Sequence, residues 1–236
     1  MINSISSASE YRPKSFNDMI GQDAIVKTLN NAIKNDNIPQ ALLFCGPRGV
    51  GKTSCARILA KTINNLEDDF EYNIFELDAA SNNSVEDIRN ITDQIRIPPQ
   101  TGRYKVYIID EVHMLSNQAF NAFLKSLEEP PEHVVFILAT TEKNKILPTI
   151  LSRCQIYDFK KVDNESIIKL LSKICKEKKV KYEDGSLSLI AERSDGSIRD
   201  SLSIFDRLVS FTDSNLTISE VTSNLNVLDF NSYFKI

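Results

Sequence analysis

The stretch Ala41–Ile63, ALLFCGPRGVGKTSCARILAKTI, sets an apolar run, a glycine-bearing loop and a helix-length segment in direct succession. The loop, Gly46 to Thr53, has the spacing G-x-x-x-x-G-K-S/T, and strand before with helix after is the context in which that spacing carries meaning. Gly46, Gly49 and Gly51 let the backbone fold around phosphate oxygens, with Pro47, Arg48 and Val50 completing the turn and Ser54 following it. The N-terminus of the next helix adds unpaired N–H groups and the positive end of a dipole. Lys52 can then reach a β- or γ-phosphate, and the Thr53 hydroxyl suits a magnesium ion.

The complement follows downstream. VYIIDEVHML closes an apolar run with two acids, Asp110 and Glu111. Asp110 is placed to hold magnesium, directly or one water removed, and Glu111 to orient and deprotonate an attacking water. A further run, VVFILATT, ends on Thr140 and Thr141. A polar group at that strand tip can position the water, although threonine is also simply a good strand residue.

Around these motifs, five apolar runs alternate with helical patterns: ALLFCG (41–46), NIFELD (73–78), KVYIID (105–110), VVFILAT (134–140) and QIYDF (155–159). Near-continuous apolar strands separated by helices imply an α/β fold with a five-stranded parallel sheet covered on both faces. DAIVKTLNNAIKND puts Ile25, Leu29, Ala32 and Ile33 on one helical face. After Phe159 the segments are helix-length, with Ser or Asp near their starts as caps, so a small all-helical domain is expected behind a boundary near Lys160–Asp163. The divisions are residues 1–160, 161–223 and a remainder at 224–236.

The bulk properties exclude several classes. The first ten residues lack both a basic start and an apolar run, so no secretory signal is expected, and no segment nears the ~20 apolar residues of a membrane span. Cys45, Cys55, Cys154 and Cys175 form no metal-ligand spacing and read as reduced thiols of a cytoplasmic protein. A net charge of −4 argues against a strong stand-alone nucleic-acid binder, but not against a ring in which each subunit offers a few contacts.

From about Ala8 to Leu228 the chain resembles the AAA+ module of bacterial DNA polymerase III gamma/tau subunits, the motors of the sliding-clamp loader. The resemblance rests on YRPKSFNDMIGQD, GPRGVGKTS, ELDAASNNSVEDIR, ILPTILSRC, GSIRDSLS and above all DEVHMLSNQAFNAFLKSLEEPPEHV. It implies ATP and Mg2+ as ligands, a helical lid behind the sheet, and other loader subunits, the clamp and primer–template DNA as partners. By position it places Ala8, Arg12 and Ile20 around adenine and ribose. It makes Thr141 the first sensor and Arg199 in GSIRD the second. Arg153 in SRC becomes an arginine finger for the neighbouring subunit's site. Arg89, Arg96 and Arg103 are candidates for DNA phosphate contact, against the commoner reading of solvated helix charges.

Two departures stand out. The family's four-cysteine zinc module is missing between the first motif helix and the next strand, where LEDDFEY stands instead, so no zinc is expected. The sequence also stops where a helical collar would begin, which fits either a short chain or a fragment. Two rivals to a motor subunit are a non-hydrolysing structural subunit of the same assembly and an AAA+ DNA translocase. Intact Lys52, Thr53, Asp110 and Glu111 speak against the first. Clamp-independent hydrolysis on bare duplex would favour the second.

Overall fold

A computed structural model describes residues 6–65, 73–82, 84–100 and 102–225. It divides into two compact units, Pro13–Lys160 and a second made from residues 6–12 with 161–225.

The first unit is built on five parallel strands: β1 (Ala41–Cys45), β2 (Ile74–Asp78), β3 (Lys105–Asp110), β4 (Val134–Thr140) and β5 (Gln155–Asp158), in the order β2-β3-β4-β1-β5. Every residue of β1 and β4 is buried, which is why these runs are apolar throughout rather than alternating. Their side chains still alternate in direction. Leu42, Phe44, Val106, Ile108, Val135 and Ile137 enter one core layer; Leu43, Cys45, Tyr107, Ile109, Phe136 and Leu138 enter the other. Edge strand β2 has no fully buried residue.

Helix α1 (Ser7–Glu10) belongs to the second unit. In the first, α2 (Asp23–Lys34) and α3 (Lys52–Asn64) supply Ile25, Leu29, Cys55, Ile58 and Leu59 to one layer. Helices α4 (Val85–Ile95) and α5 (Asn117–Glu128) supply Ile88, Phe120, Phe123 and Leu127 to the other, and the short α6 (Pro148–Leu151) supplies Ile150. The Ser116 side chain caps α5 by accepting from Ala119 N, a contact of the kind worth about 1 kcal/mol.

The unit ends at a two-way clasp. Buried Gln22 donates to the Lys160 carbonyl at 2.8 Å and accepts from Lys160 N at 3.2 Å.

The second unit packs α7 (Asn164–Lys178), α8 (Asp184–Arg193), α9 (Ile198–Phe211) and α10 (Ile218–Asn224) around Ile167, Leu171, Ile190, Leu202, Phe205 and Val221. Asp163 caps α7 and Ser197 caps α9, as the sequence led one to expect, whereas α8 starts without a side-chain cap. The unit carries one addition to its helices, a parallel pair of two-residue strands, β6 (Lys181–Tyr182) and β7 (Asn215–Leu216). Buried Val180 and Leu216 draw these short segments together.

Residues 6–12 fold onto this unit. The Ser7 amide donates to Asp206 Oδ2 at 2.7 Å, its hydroxyl donates to Asp206 Oδ1, and Lys178 donates to the same hydroxyl at 2.8 Å. Tyr11 donates to Glu177 Oε2 at 2.9 Å, and burial, then Glu177, push its phenol up to about 12. The stretch LEDDFEY (66–72) and most of the 224–236 remainder lie outside the described residues.

Candidate functional site

The tips of β1, β3 and β4 lie side by side because β4 sits between the other two in the sheet. The loop after β1 is tied to β4 by Gly46 N donating to the Thr140 carbonyl at 3.2 Å. Gly46 adopts φ 144°, and a Cβ there would stand 2.4 Å from the Phe159 carbonyl oxygen, so only glycine fits. Gly51, at φ 100°, forms the N-cap of α3 and turns the chain into the helix.

Lys52 is 6% exposed, and its ammonium donates to the Gly46 and Pro47 carbonyls at 2.7 Å each. Burial lowers its pKa, opposed by the nearby negative charge of Glu111 and then Asp110. The Thr53 hydroxyl donates to Asp110 Oδ2 at 2.6 Å. Val50 and Ser54 are buried, Pro47 and Gly49 are partly so, and Arg48 is exposed. Ile20 is half-buried, and its neighbour Met19 would lie 3.0 Å from a Cβ on Gly51.

Glu111 follows directly, with a left-handed backbone at φ 47°. Its Oε2 accepts from Thr141 N at 3.2 Å and from the Thr141 hydroxyl at 3.0 Å. The structure thus brings Lys52, Thr53, Asp110, Glu111 and Thr141 together: a buried cation in a glycine cradle, paired oxygen donors, and a carboxylate held by a strand-tip threonine. These oxygens suit a hard divalent cation, and the cradle with its cation suits phosphate. Among the described residues no cluster of three or more His, Cys, Asp or Glu could hold a metal ion, and all four cysteines are free.

Two residues that the sequence did not single out, His113 and Glu142, join this group. His113, whose side chain is 5% exposed, sits 2.9 Å from Thr140 Oγ1 and between Glu111 and Glu142. The signal available was small: one of two histidines in the chain, three positions after Asp110.

Arg153 lies apart, in the turn between α6 and β5. It donates to Glu128 Oε1 and to the Thr149 carbonyl, both at 2.7 Å, with its side chain 34% exposed. Ala8, Arg12 and Arg199 belong to the second unit; Arg199 is exposed in the first turn of α9. Arg89 and Arg96 are exposed, and Arg103 is ion-paired with Asp36.

Comparison with known proteins fixes the family. A family model described as "DNA polymerase III, delta subunit" matches residues 21–74 and 70–163, and one described as "DNA polymerase III clamp loader subunit, ATPase lid domain" matches residues 166–214. DNA polymerase III subunit tau of Bacillus subtilis is 46% identical over 227 residues, covering 89% of this chain and 40% of that protein. The tau subunit of Escherichia coli is 42% identical over 239 residues, covering 94% and 37%. The chain belongs to the DNA polymerase III gamma/tau family of clamp-loader subunits. It spans at most 40% of the length of these two relatives. Among solved structures, a RuvB of Thermotoga maritima, described as a Holliday junction branch migration motor, superposes with TM-score 0.72 at 22% identity over 94% of this chain and 74% of that one. A point mutant of the same RuvB gives TM-score 0.73 at 21% identity over 93% and 73%. At that identity the likeness shows the AAA+ fold, with its five-stranded parallel sheet, and nothing further. The family is one of AAA+ ATPases. Among the described residues no helix is long and apolar enough to cross a membrane.

Proposed function

We propose that this gamma/tau-type chain binds ATP with Mg2+ and hydrolyses it as a motor subunit of the DNA polymerase III clamp loader. One observation carries the reading: at neighbouring strand tips, Lys52 sits buried in the Gly46–Gly51 cradle, Thr53 and Asp110 meet at 2.6 Å, and Glu111 is held by Thr141. Backbone N–H groups of the loop and the start of α3 bind the phosphates, and the Lys52 ammonium turns from its two carbonyls to a phosphate oxygen. Thr53 and Asp110 would hold the magnesium, which would supply charge neutralisation to the phosphates. Glu111 accepts a proton from water, and Thr141 keeps that carboxylate aimed.

The remaining assignments come from the family resemblance. Ala8, Arg12 and Ile20 contact the base and ribose. Arg199 reads the γ-phosphate of its own chain, and Arg153 completes the site of a neighbouring subunit. Residues 13–160 form the nucleotide-binding domain and residues 161–223 the lid, onto which residues 6–12 fold. The partners are other loader subunits, the sliding clamp and primer–template DNA, the last through Arg89, Arg96 or Arg103. The protein acts in the cytoplasm and binds no zinc. Nucleotide state then drives conformational switching of the assembly rather than chemistry on DNA. Keeping every hydrolytic residue speaks against a purely structural subunit, and a fold likeness to RuvB does not favour a translocase.

The test is nucleotide affinity. A charge-assisted contact is worth about 1.5–3 kcal/mol, so Lys52→Ala should weaken ATP binding by roughly 10- to 100-fold. Equal affinity in wild type and variant, measured by calorimetry, would sink the motor reading.

A further inference from the structure

We infer that His113 is a positioning residue for Glu111, setting where that carboxylate points by holding it against the loop that follows β4. The inference rests on the reading of Glu111 as the group that activates water.

The geometry is unusual for a histidine. Its side chain is almost fully buried, yet each ring nitrogen faces a carboxylate: Nδ1 lies 3.4 Å from Glu111 Oε2, and Nε2 lies 3.3 Å from Glu142 Oε1. Nδ1 also lies 2.9 Å from Thr140 Oγ1, an oxygen that already accepts the Glu142 amide at 3.0 Å. Glu142 is in turn ion-paired to Lys145 at 2.9 Å.

These contacts restrict one another. A neutral imidazole donates from one nitrogen and accepts at the other. With the hydrogen on Nε2, the ring donates toward Glu142, and Nδ1 accepts the Thr140 hydroxyl proton. Nδ1 then has no proton to offer Glu111, and Oε2 stays with Thr141. With the hydrogen on Nδ1, Oε2 is drawn toward the ring instead. The partner on the solvent side, Glu142, thereby decides which way Glu111 leans. Glu111 needs such support, because it is a flexible side chain on a left-handed residue just past the end of β3. The ring is hard to explain as packing alone: a buried histidine filling space would not need polar partners from two segments, at 111 and at 140–142.

The experiment uses the full-length protein assembled with its partner subunits, and measures single-turnover hydrolysis beside nucleotide affinity. An ångström of misplacement can cost about 10²-fold, so His113→Leu, similar in bulk but without polar atoms, should slow hydrolysis roughly 10- to 100-fold while leaving affinity within about twofold. His113→Asn, which keeps an amide near the Nδ1 position, should recover most of that loss, to within about fivefold of wild type. A wild-type rate in His113→Leu, or an asparagine variant no better than the leucine one, overturns the inference. Glu111→Gln is run beside them. If it keeps the wild-type rate, the reading of Glu111 fails; if it alone is inactive, only the role of His113 fails. Should His113→Leu not fold, Glu142→Gln carries the test from the exposed side. It should lower the rate about three- to tenfold at unchanged affinity, and a wild-type rate there overturns the inference as well.

Discussion

Lys52 and Arg153 are two cations of one unit, and they stand in opposite environments. Lys52 is buried and held by two carbonyls of its own loop, with its acidic neighbours Asp110 and Glu111 beside it. Arg153 is a third exposed, and its partners are a glutamate and a carbonyl on the outer surface of the same fold. Everything that makes Lys52 useful to a phosphate is supplied within a few residues of chain and one strand tip. Nothing around Arg153 resembles a binding site. A cation whose surroundings are complete can be assigned a role from this chain; one whose surroundings are ordinary acquires a role only from another molecule.

Arg153→Ala breaks the comparison most sharply. If the arginine serves a neighbouring site, its loss should reduce hydrolysis in the assembled loader by about 10³- to 10⁵-fold. Stability should hardly move, since an exposed ion pair is worth about 0–1 kcal/mol. Mixing Arg153→Ala chains, whose own sites are intact, with Glu111→Gln chains, whose arginines are intact, should restore activity that neither shows alone. An equal loss of melting temperature and activity would make Arg153 structural, and no recovery under proven assembly would argue against a shared site.

The same contrast explains what was legible from residues alone. Strands β1, β3 and β4 are buried on both faces, so their sequences are unbroken apolar runs, and the acids or threonines at their ends mark the tips. The phosphate loop reads equally well because its glycines and lysine are contiguous. Strands β6 and β7 are two residues each, too short for any periodicity to show. His113 escaped notice because its partners come from positions 111, 140 and 142, which only the pairing of β3 with β4 brings together. The docking of residues 6–12 was hidden for a similar reason. SASEY is a polar stretch with no pattern, and its anchor, Asp206, lies 199 positions from Ser7.

That anchor sharpens the comparison from the second unit. Ser7 is fully buried, and Asp206 takes both its amide and its hydroxyl. Removing the acceptor leaves two buried donors, and a buried unsatisfied group costs about 1–3 kcal/mol. Asp206→Ala should therefore loosen residues 6–12, seen as roughly 10- to 100-fold faster amide exchange there, with strands β1 and β4 unaffected. If Ala8 and Arg12 contact the base, nucleotide affinity should fall in parallel. Faster exchange with undiminished affinity would remove these two residues from the binding site while leaving the rest of it in place.

The smallest effect belongs to Glu128, the partner of Arg153. Its side chain is 48% exposed, and the pair spans 2.7 Å at the end of α5. Glu128→Gln keeps the shape and an oxygen acceptor but removes the charge, so stability should change by less than about 1 kcal/mol. The informative quantity is the rate. A surface pair with no further purpose would leave hydrolysis in the assembled loader unchanged. A pair that holds Arg153 ready should show a modest slowing, about two- to fivefold, because the arginine then has more conformations to lose before it can act. An increase would mean something different: that Glu128 competes with the neighbouring site for the same guanidinium, and that Arg153 must leave this contact to do its work.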